Sequence, residues 1–219
     1  MAFDLDGTLY PDFRLFLRLI PFLFKEGRLL LAMGRARKQL RETGAYEENF
    51  YDTQAALMAG IMGKKNQEIK EKTENLIYRG WEEHFKKIKL FPHVIETLDI
   101  FRSRGLKLGL LSDFPPEKKL QYLGLGAYWE VVGCSEISGR LKPDPLSFVE
   151  LASSMNTQPE EILFVGNSLS YDVAGASQAG MKTALIQSRW KKRGRKIKGS
   201  KKPDFIFHDY RQLQKYVLG

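Results

Sequence analysis

From about residue 92 onward, apolar positions alternate between short runs and helical stripes. Val94 to Arg104 has apolar residues at helical spacing and stops at Gly105, a residue suited to ending a helix. Leu106 to Leu111 is an apolar run of strand length. A short helix is predicted to close over Gln121 to Gly124, and Glu130 to Cys134 reads as a strand. Leu146 to Met155 follows Pro145 as a helix, and Ile162 to Val165 has the continuous apolar character of a buried strand. Val173 to Ala179 is a helix stopped by Gly180, Lys182 to Ile186 a strand, Phe205 to Phe207 a last strand and Tyr210 to Val217 a closing helix. Strands alternating with helices predict an α/β fold, a three-layer core with a central parallel sheet covered on both faces. Its crossovers should be right-handed.

Residues 12–91 follow a different pattern. They contain no convincing strand and four helical stretches, Phe13–Phe24, Arg28–Glu42, Glu47–Met62 and Asn66–Phe85. The chain therefore divides into a core made of residues 1–11 and 92–219 and an inserted all-helical unit, 12–91. Phe13–Phe24 is strongly apolar, but Arg14 and Arg18 interrupt it and Pro21 breaks it. A membrane span needs ~20 uninterrupted apolar residues, so this stretch reads as an amphipathic helix. Phe13, Phe16, Phe22 and Phe24 could line the inner face of the insertion but are expected instead to be buried between its helices, and Trp81, Phe85 and Phe91 are expected to pack in the core rather than form a substrate box.

The 219 residues are 43% hydrophobic, enough for a substantial core. Cys134 is the one cysteine, which excludes an intramolecular disulfide and fits a cytoplasmic location. The opening Met1-Ala2-Phe3-Asp4 lacks the basic-then-apolar order of a secretory signal. The net charge is +9, and nine Lys or Arg with no acid fall within Arg189 to Lys202. Residues 12–91 hold 16 basic and 11 acidic side chains, and what remains holds 10 and 15. So local concentration, and no uniformly basic surface, accounts for the charge, and there is no strong case for a nucleic-acid binder. The run 189–202 carries Gly194 and Gly199 and is expected to be a flexible loop at the carboxyl edge of the sheet. A positive rim there would speed capture of anionic substrates, whereas Trp190 alone offers little for base stacking.

The chemistry gathers at predicted strand ends. In Phe3-Asp4-Leu5-Asp6-Gly7-Thr8-Leu9, two carboxylates one residue apart point the same way if the chain stays extended. One can act as nucleophile and the other can donate and accept protons. Gly7 permits a sharp turn, and the Thr8 hydroxyl can hold the loop. The same letters open a calcium loop, but Leu9, Tyr10 and Pro11 supply none of the further oxygens such a loop needs. Leu110-Leu111-Ser112-Asp113 places a hydroxyl and an acid at a second strand end, suited to a phosphate oxygen or to an N-cap. Leu141-Lys142-Pro143-Asp144-Pro145 sets a lysine in a proline-bounded loop. Phe164-Val165-Gly166-Asn167-Ser168, with Asp172 five residues beyond Asn167, brings oxygen side chains that can hold a hard cation such as magnesium.

In this order the four segments resemble the motifs of the haloacid dehalogenase (HAD) superfamily, over residues 3 to 187. The resemblance implies a Rossmann-like core, with residues 12–91 as its helical cap. It implies that Asp4 is the nucleophile, forming an aspartyl-phosphate, and Asp6 the general acid/base. Lys142 would bind the phosphoryl group and neutralise charge on Asp4, with Ser112, Asp113, Gly7 and Thr8 completing the phosphate pocket. Magnesium (Mg2+) would be held by Asp4, the backbone carbonyl of Asp6, Asn167 and Asp172. In this superfamily dehalogenases lack an acid at the position of Asp6 and transport ATPases use threonine there. Asp6 therefore favours hydrolysis of a small phosphorylated metabolite, and phosphomutases, which keep the acid, stand beside that reading. Two departures are plain. The last motif usually reads Gly-Asp where this chain has Gly166-Asn167, so one negative charge is lost and metal affinity should fall on the order of 10–100-fold. A weakly active or inactive relative that binds a phosphorylated ligand or a partner is the alternative this suggests. The first strand should also be short, because three residues precede Asp4.

Overall fold

The computed structural model describes residues 1–44, 49–187 and 202–219. Six strands form one sheet: β1 (Ala2–Phe3), β2 (Gly109–Ser112), β3 (Val131–Cys134), β4 (Leu163–Gly166), β5 (Lys182–Ile186) and β6 (Phe205–Phe207). Their order is β3-β2-β1-β4-β5-β6, and every pairing is parallel. β1 is only two residues long, yet it lies at the centre. Ala2 and Phe3 are matched by Gly109 and Leu110 on one side and by Phe164 and Val165 on the other. The Asp4 N–H carries the ladder one residue further, to the Val165 carbonyl at 2.9 Å. Pairing on both sides supplies what length does not.

Because successive strand residues face opposite ways, each strand feeds two cores. Phe3, Leu110 and Val165 pack with Leu98 and Phe101 of α5 (Val94–Ser103), Leu120 of α6 (Glu117–Tyr122) and Leu213 of α9 (Tyr210–Leu218). Ala2, Leu111 and Phe164 pack with Phe148 and Leu151 of α7 (Pro145–Ser154) and Ala176 of α8 (Ala174–Gln178). Each fully buried Leu or Phe contributes roughly 1.5–3 kcal/mol, so both faces of the sheet are strongly held. The result is the expected three-layer α/β, Rossmann-like fold.

Between β1 and β2 the described chain is helical: α1 (Asp12–Thr43), α2 (Phe50–Met62), α3 (Asn66–Thr73), a π-turn over Glu74–Tyr78 and α4 (Glu82–Phe85). The first two predicted helices are one, kinked where Glu26 leaves helical geometry ahead of Gly27, and Pro21 lies inside it without ending it. Pro21 is exposed, and water can take the carbonyl it leaves free. The last predicted helix is broken at Gly80, beside the Leu76 carbonyl. Leu29, Met33, Met58, Ile69 and Ile77 form this unit's own core. Phe22 packs there, edge-on to Trp81 at 5.9 Å between ring centroids. The other three aromatics of that stretch are not buried as expected. Phe13, Phe16 and Phe24 are 57%, 60% and 88% exposed, while Leu15 and Leu19 of the same half turn inward. Among the described residues no helix is long and apolar enough to cross a membrane. The basic run 189–202 lies, except for Lys202, outside the described residues.

Candidate active site

Asp4 leaves the sheet directly after β1, Ser112 ends β2, and Asn167 follows β4. These three strands are neighbours, and the crossovers on either side of β1 lead away from one another. Open parallel sheets bind ligands in the crevice such a divergence leaves at the carboxyl ends. The loop after β3 brings Lys142 over the same edge, with a cis peptide bond to Pro143.

Lys142 is the hub. Its Nζ donates to Asp4 Oδ1 at 2.6 Å and to Asp172 Oδ1 at 2.8 Å, and approaches the Leu111 carbonyl at 3.4 Å. All three side chains are buried. Burial disfavours the ammonium, but Asp172, Asp4 and Asp113 outweigh it and hold the Lys142 pKa above its ordinary value. Burial pushes the Asp4 carboxyl up to about 7, against the pull of Lys142 and with Asp172 and Asp6 adding to the rise. Two carboxylates against one ammonium leave this buried cluster with excess negative charge, which favours a cation.

The Thr8 hydroxyl, fully buried, donates to Asp4 Oδ2 at 2.7 Å. Its carbonyl accepts from Tyr210 Oη at 2.7 Å, tying the loop to α9. Gly7 has φ +80°, and a side chain there would collide with the amide of Asn167. The residue expected to permit a turn thus also lets Asn167 lie against the loop of the two carboxylates. Ser112 Oγ accepts from the Phe114 N–H at 3.2 Å, a local turn and not the N-cap of its alternative reading, since the next helix starts at Glu117 behind Pro116.

Two expected residues are engaged differently from the expectation. Asp113 was read as a phosphate contact. Its Oδ1 instead accepts from the backbone N–H of Lys142 at 3.0 Å, and its Oδ2 from Arg41 at 2.7 Å. Burial raises its pKa, but Lys142, Arg37 and Arg41 more than reverse this, so it stays an anion paired with Arg41. Asp172 was read as a metal ligand. Its Oδ1 takes Lys142, and its Oδ2 accepts from the N–H groups of Asn167 and Ser168 at 3.1 and 3.0 Å. Both oxygens have partners, as do both oxygens of Asp4.

The sequence reading missed the residues around Asp6. Lys119 Nζ donates to both Asp6 oxygens, at 2.8 and 2.7 Å, and the Tyr10 hydroxyl donates to Oδ1. Asp12 comes close to Gly7 and Asn167. Tyr10 and Asp12 were adjacent to the first motif and could have been considered. Lys119, 113 residues from Asp6, gave no local signal.

A cavity of about 700 Å³ opens over these groups, lined by Asp4, Asp6, Lys142 and Asn167 at one end. Phe16, Ile77, Tyr78 and Trp81 of the helical insertion and Phe114 of the core line the rest. Trp81 and Phe85, expected as packing in preference to a substrate box, serve both the core and this wall. Among the described residues no group of three or more His, Cys, Asp or Glu is set to hold a metal ion. Asp4, Asp6 and Asn167, which line this end of the cavity, carry oxygens of the kind a hard cation takes.

Residues 1–180 match the family model of the haloacid dehalogenase-like hydrolases. A glyceraldehyde 3-phosphate phosphatase of Methanopyrus kandleri is 39% identical over 106 residues, 47% of this chain and 46% of that protein. A phosphoglycolate phosphatase of Salmonella choleraesuis is 30% identical over 204 residues, 82% of this chain and 77% of that protein. The crystal structure of a HAD phosphatase from Thermococcus onnurineus superposes with a TM-score of 0.66 at 25% identity, covering 100% of this chain and 97% of that one. The parallel sheet, the carboxylate pair after its central strand and these matches agree: the chain belongs to the haloacid dehalogenase-like hydrolases.

Proposed function

We propose that this hydrolase is a phosphatase acting on a small phosphorylated metabolite through an aspartyl-phosphate. The observation that carries the reading is the buried Lys142 ammonium shared by Asp4 and Asp172, beside a second carboxylate, Asp6, on the same loop. Asp4 Oδ attacks phosphorus, and the bond from phosphorus to the ester oxygen breaks. Asp6 gives its proton to the departing oxygen. In the second step Asp6 takes a proton from water, the water oxygen attacks phosphorus, and the Asp4–phosphorus bond breaks to release inorganic phosphate. Lys142 and the Ser112 hydroxyl bind the phosphoryl oxygens. Thr8 fixes the rotamer of Asp4, and Asp113 holds the backbone of Lys142 in place. Residues 12–91 cap the cleft of a core formed by 1–11 and 92–219.

Magnesium would be held by Asp4, the Asp6 carbonyl and Asn167, where it would neutralise charge on the phosphoryl group. Asp172 keeps Lys142 aimed at Asp4 and need not touch the metal. A cytoplasmic setting goes with this reading, since the single cysteine suits a reducing compartment.

The test is phosphate release from phenyl phosphate with and without Mg2+. Turnover should require the cation, vanish in Asp4→Asn, and fall on the order of 10²–10⁴-fold in Asp6→Asn. Asn167, an amide where a carboxylate is usual, supports a second reading, a ligand-binding relative with little turnover. No turnover in the natural chain, with turnover gained in Asn167→Asp, would favour that reading.

A further inference from the structure

We propose that the site, on the phosphatase reading above, takes phosphomonoesters whose leaving group is uncharged and apolar, a ring system or an alkyl chain. Three observations carry this. The first is size: about 700 Å³ lies within the range of roughly 300–1,000 Å³ typical of clefts that take drug-sized ligands. A phosphorylated two- or three-carbon acid would leave much of that space empty. The second is the wall. Beside its charged groups it carries Phe16, Ile77, Tyr78, Trp81, Phe85 and Phe114. Lys119 lies 5.2 Å from the ring centroids of both Phe85 and Phe114. That ammonium is thus sandwiched between aromatic faces and directed at Asp6.

The third observation is charge. Among the described residues the wall carries the cations Arg79, Lys118, Lys119 and Lys142, and a larger number of Asp and Glu. Arg79 is held by Glu74 at 2.8 Å, Lys119 by Asp6 at 2.7 Å, and Lys142 by Asp4 and Asp172. Lys118 is exposed to solvent, and Asp12 and Glu117 stand on the same wall. A second anionic group on the substrate would meet carboxylates more often than ammonium groups, and like charges repel. A neutral apolar leaving group meets no such penalty and gains burial against the aromatic rings.

Two measurements test the idea. The first compares kcat/KM, with Mg2+, for 1-naphthyl phosphate and octyl phosphate against 2-phosphoglycolate and glyceraldehyde 3-phosphate. At least one apolar ester should lead both small substrates by about 10-fold or more. Preference for the naphthyl ester would identify a ring, and preference for the octyl ester a chain. Equal or better turnover of the small acids overturns the proposal. The second compares binding of 1-naphthylphosphonate and phosphonoacetate by calorimetry, which needs no turnover. If no ester is hydrolysed, the phosphatase reading falls, and this measurement decides the pocket's preference. Tighter binding of the naphthyl compound sustains it, and equal or weaker binding overturns it. In Phe16→Ser, a change at a position 60% exposed, KM or Kd for the naphthyl compound should rise about 5-fold. No change there would remove Phe16 from the binding wall.

Discussion

A buried lysine between two carboxylates is held by opposing demands. Removing the ammonium leaves Asp4 and Asp172 facing each other in a dry site. Lys142→Met should therefore abolish turnover and also weaken the fold. The weakening should be larger at pH 8 than at pH 5.5, because protonating either carboxylate relieves the repulsion. Urea melts at the two pH values would show it, and equal losses would speak against the cluster. Cys134 offers a second residue-scale test. Burial, with Glu136 adding, pushes its thiol up to about 12. At pH 8 the thiol stays protonated and should react with a thiol reagent far more slowly in the folded protein than in urea.

At the scale of elements, short helices depend on their ends. Asp209 caps α9, accepting from the Arg211 N–H at 2.9 Å. The Arg211 side chain also donates to it, which holds the Asp209 carboxyl down at about 2, below its ordinary 3.8. A depressed carboxyl stabilises the fold above its unfolded value and loses that contribution as pH falls through the folded one. Asp209→Ala should cost about 1 kcal/mol at neutral pH. Asp209→Asn should keep most of the cap but flatten the loss of stability between about pH 4 and pH 2, as thermal melts across that range would show. Elements were also what the sequence displayed most openly. Lys182–Ile186 and Phe205–Phe207 were legible to the residue because Gly180 and Pro203 bound short apolar runs of strand length. The long α1 was not, since a proline reads as a break unless its neighbourhood is known to be exposed. Asp4, Asp6 and Lys142 were legible through local spacing. Lys119 and Arg37 were not, because the partners that define them are 113 and 99 residues away.

At the scale of the whole molecule, the helical insertion is joined to the core by buried charge. Arg37 of α1 pairs with Glu136, which follows β3, and lies 3.7 Å from Asp113. Burial disfavours the guanidinium, but Glu136 and Asp113 outweigh it and raise its pKa. Tyr78 also donates to Glu136 at 3.0 Å, from the insertion's π-turn. Arg37→Met strands Glu136 in the interior and should cost about 3–5 kcal/mol. It should also speed tryptic cleavage within the insertion before the core is cut. Loss of stability without that change in cleavage order would mean that the pair holds the core alone.

Arg41 makes the joint tighter still. Its Nε donates to the carbonyl of Lys142 at 2.8 Å, while Asp113, which Arg41 also grips, accepts from the N–H of the same residue. The peptide groups on both sides of the reactive lysine are thus clasped by one helix turn. If the second half of α1 were to swing outward, it would misplace the ammonium it helps to seat. Entry of a substrate would then fall to the part of the helix ahead of the Glu26 kink, where Phe16 lines the cavity. The gate and the fixed jaw of this enzyme would be two ends of one helix.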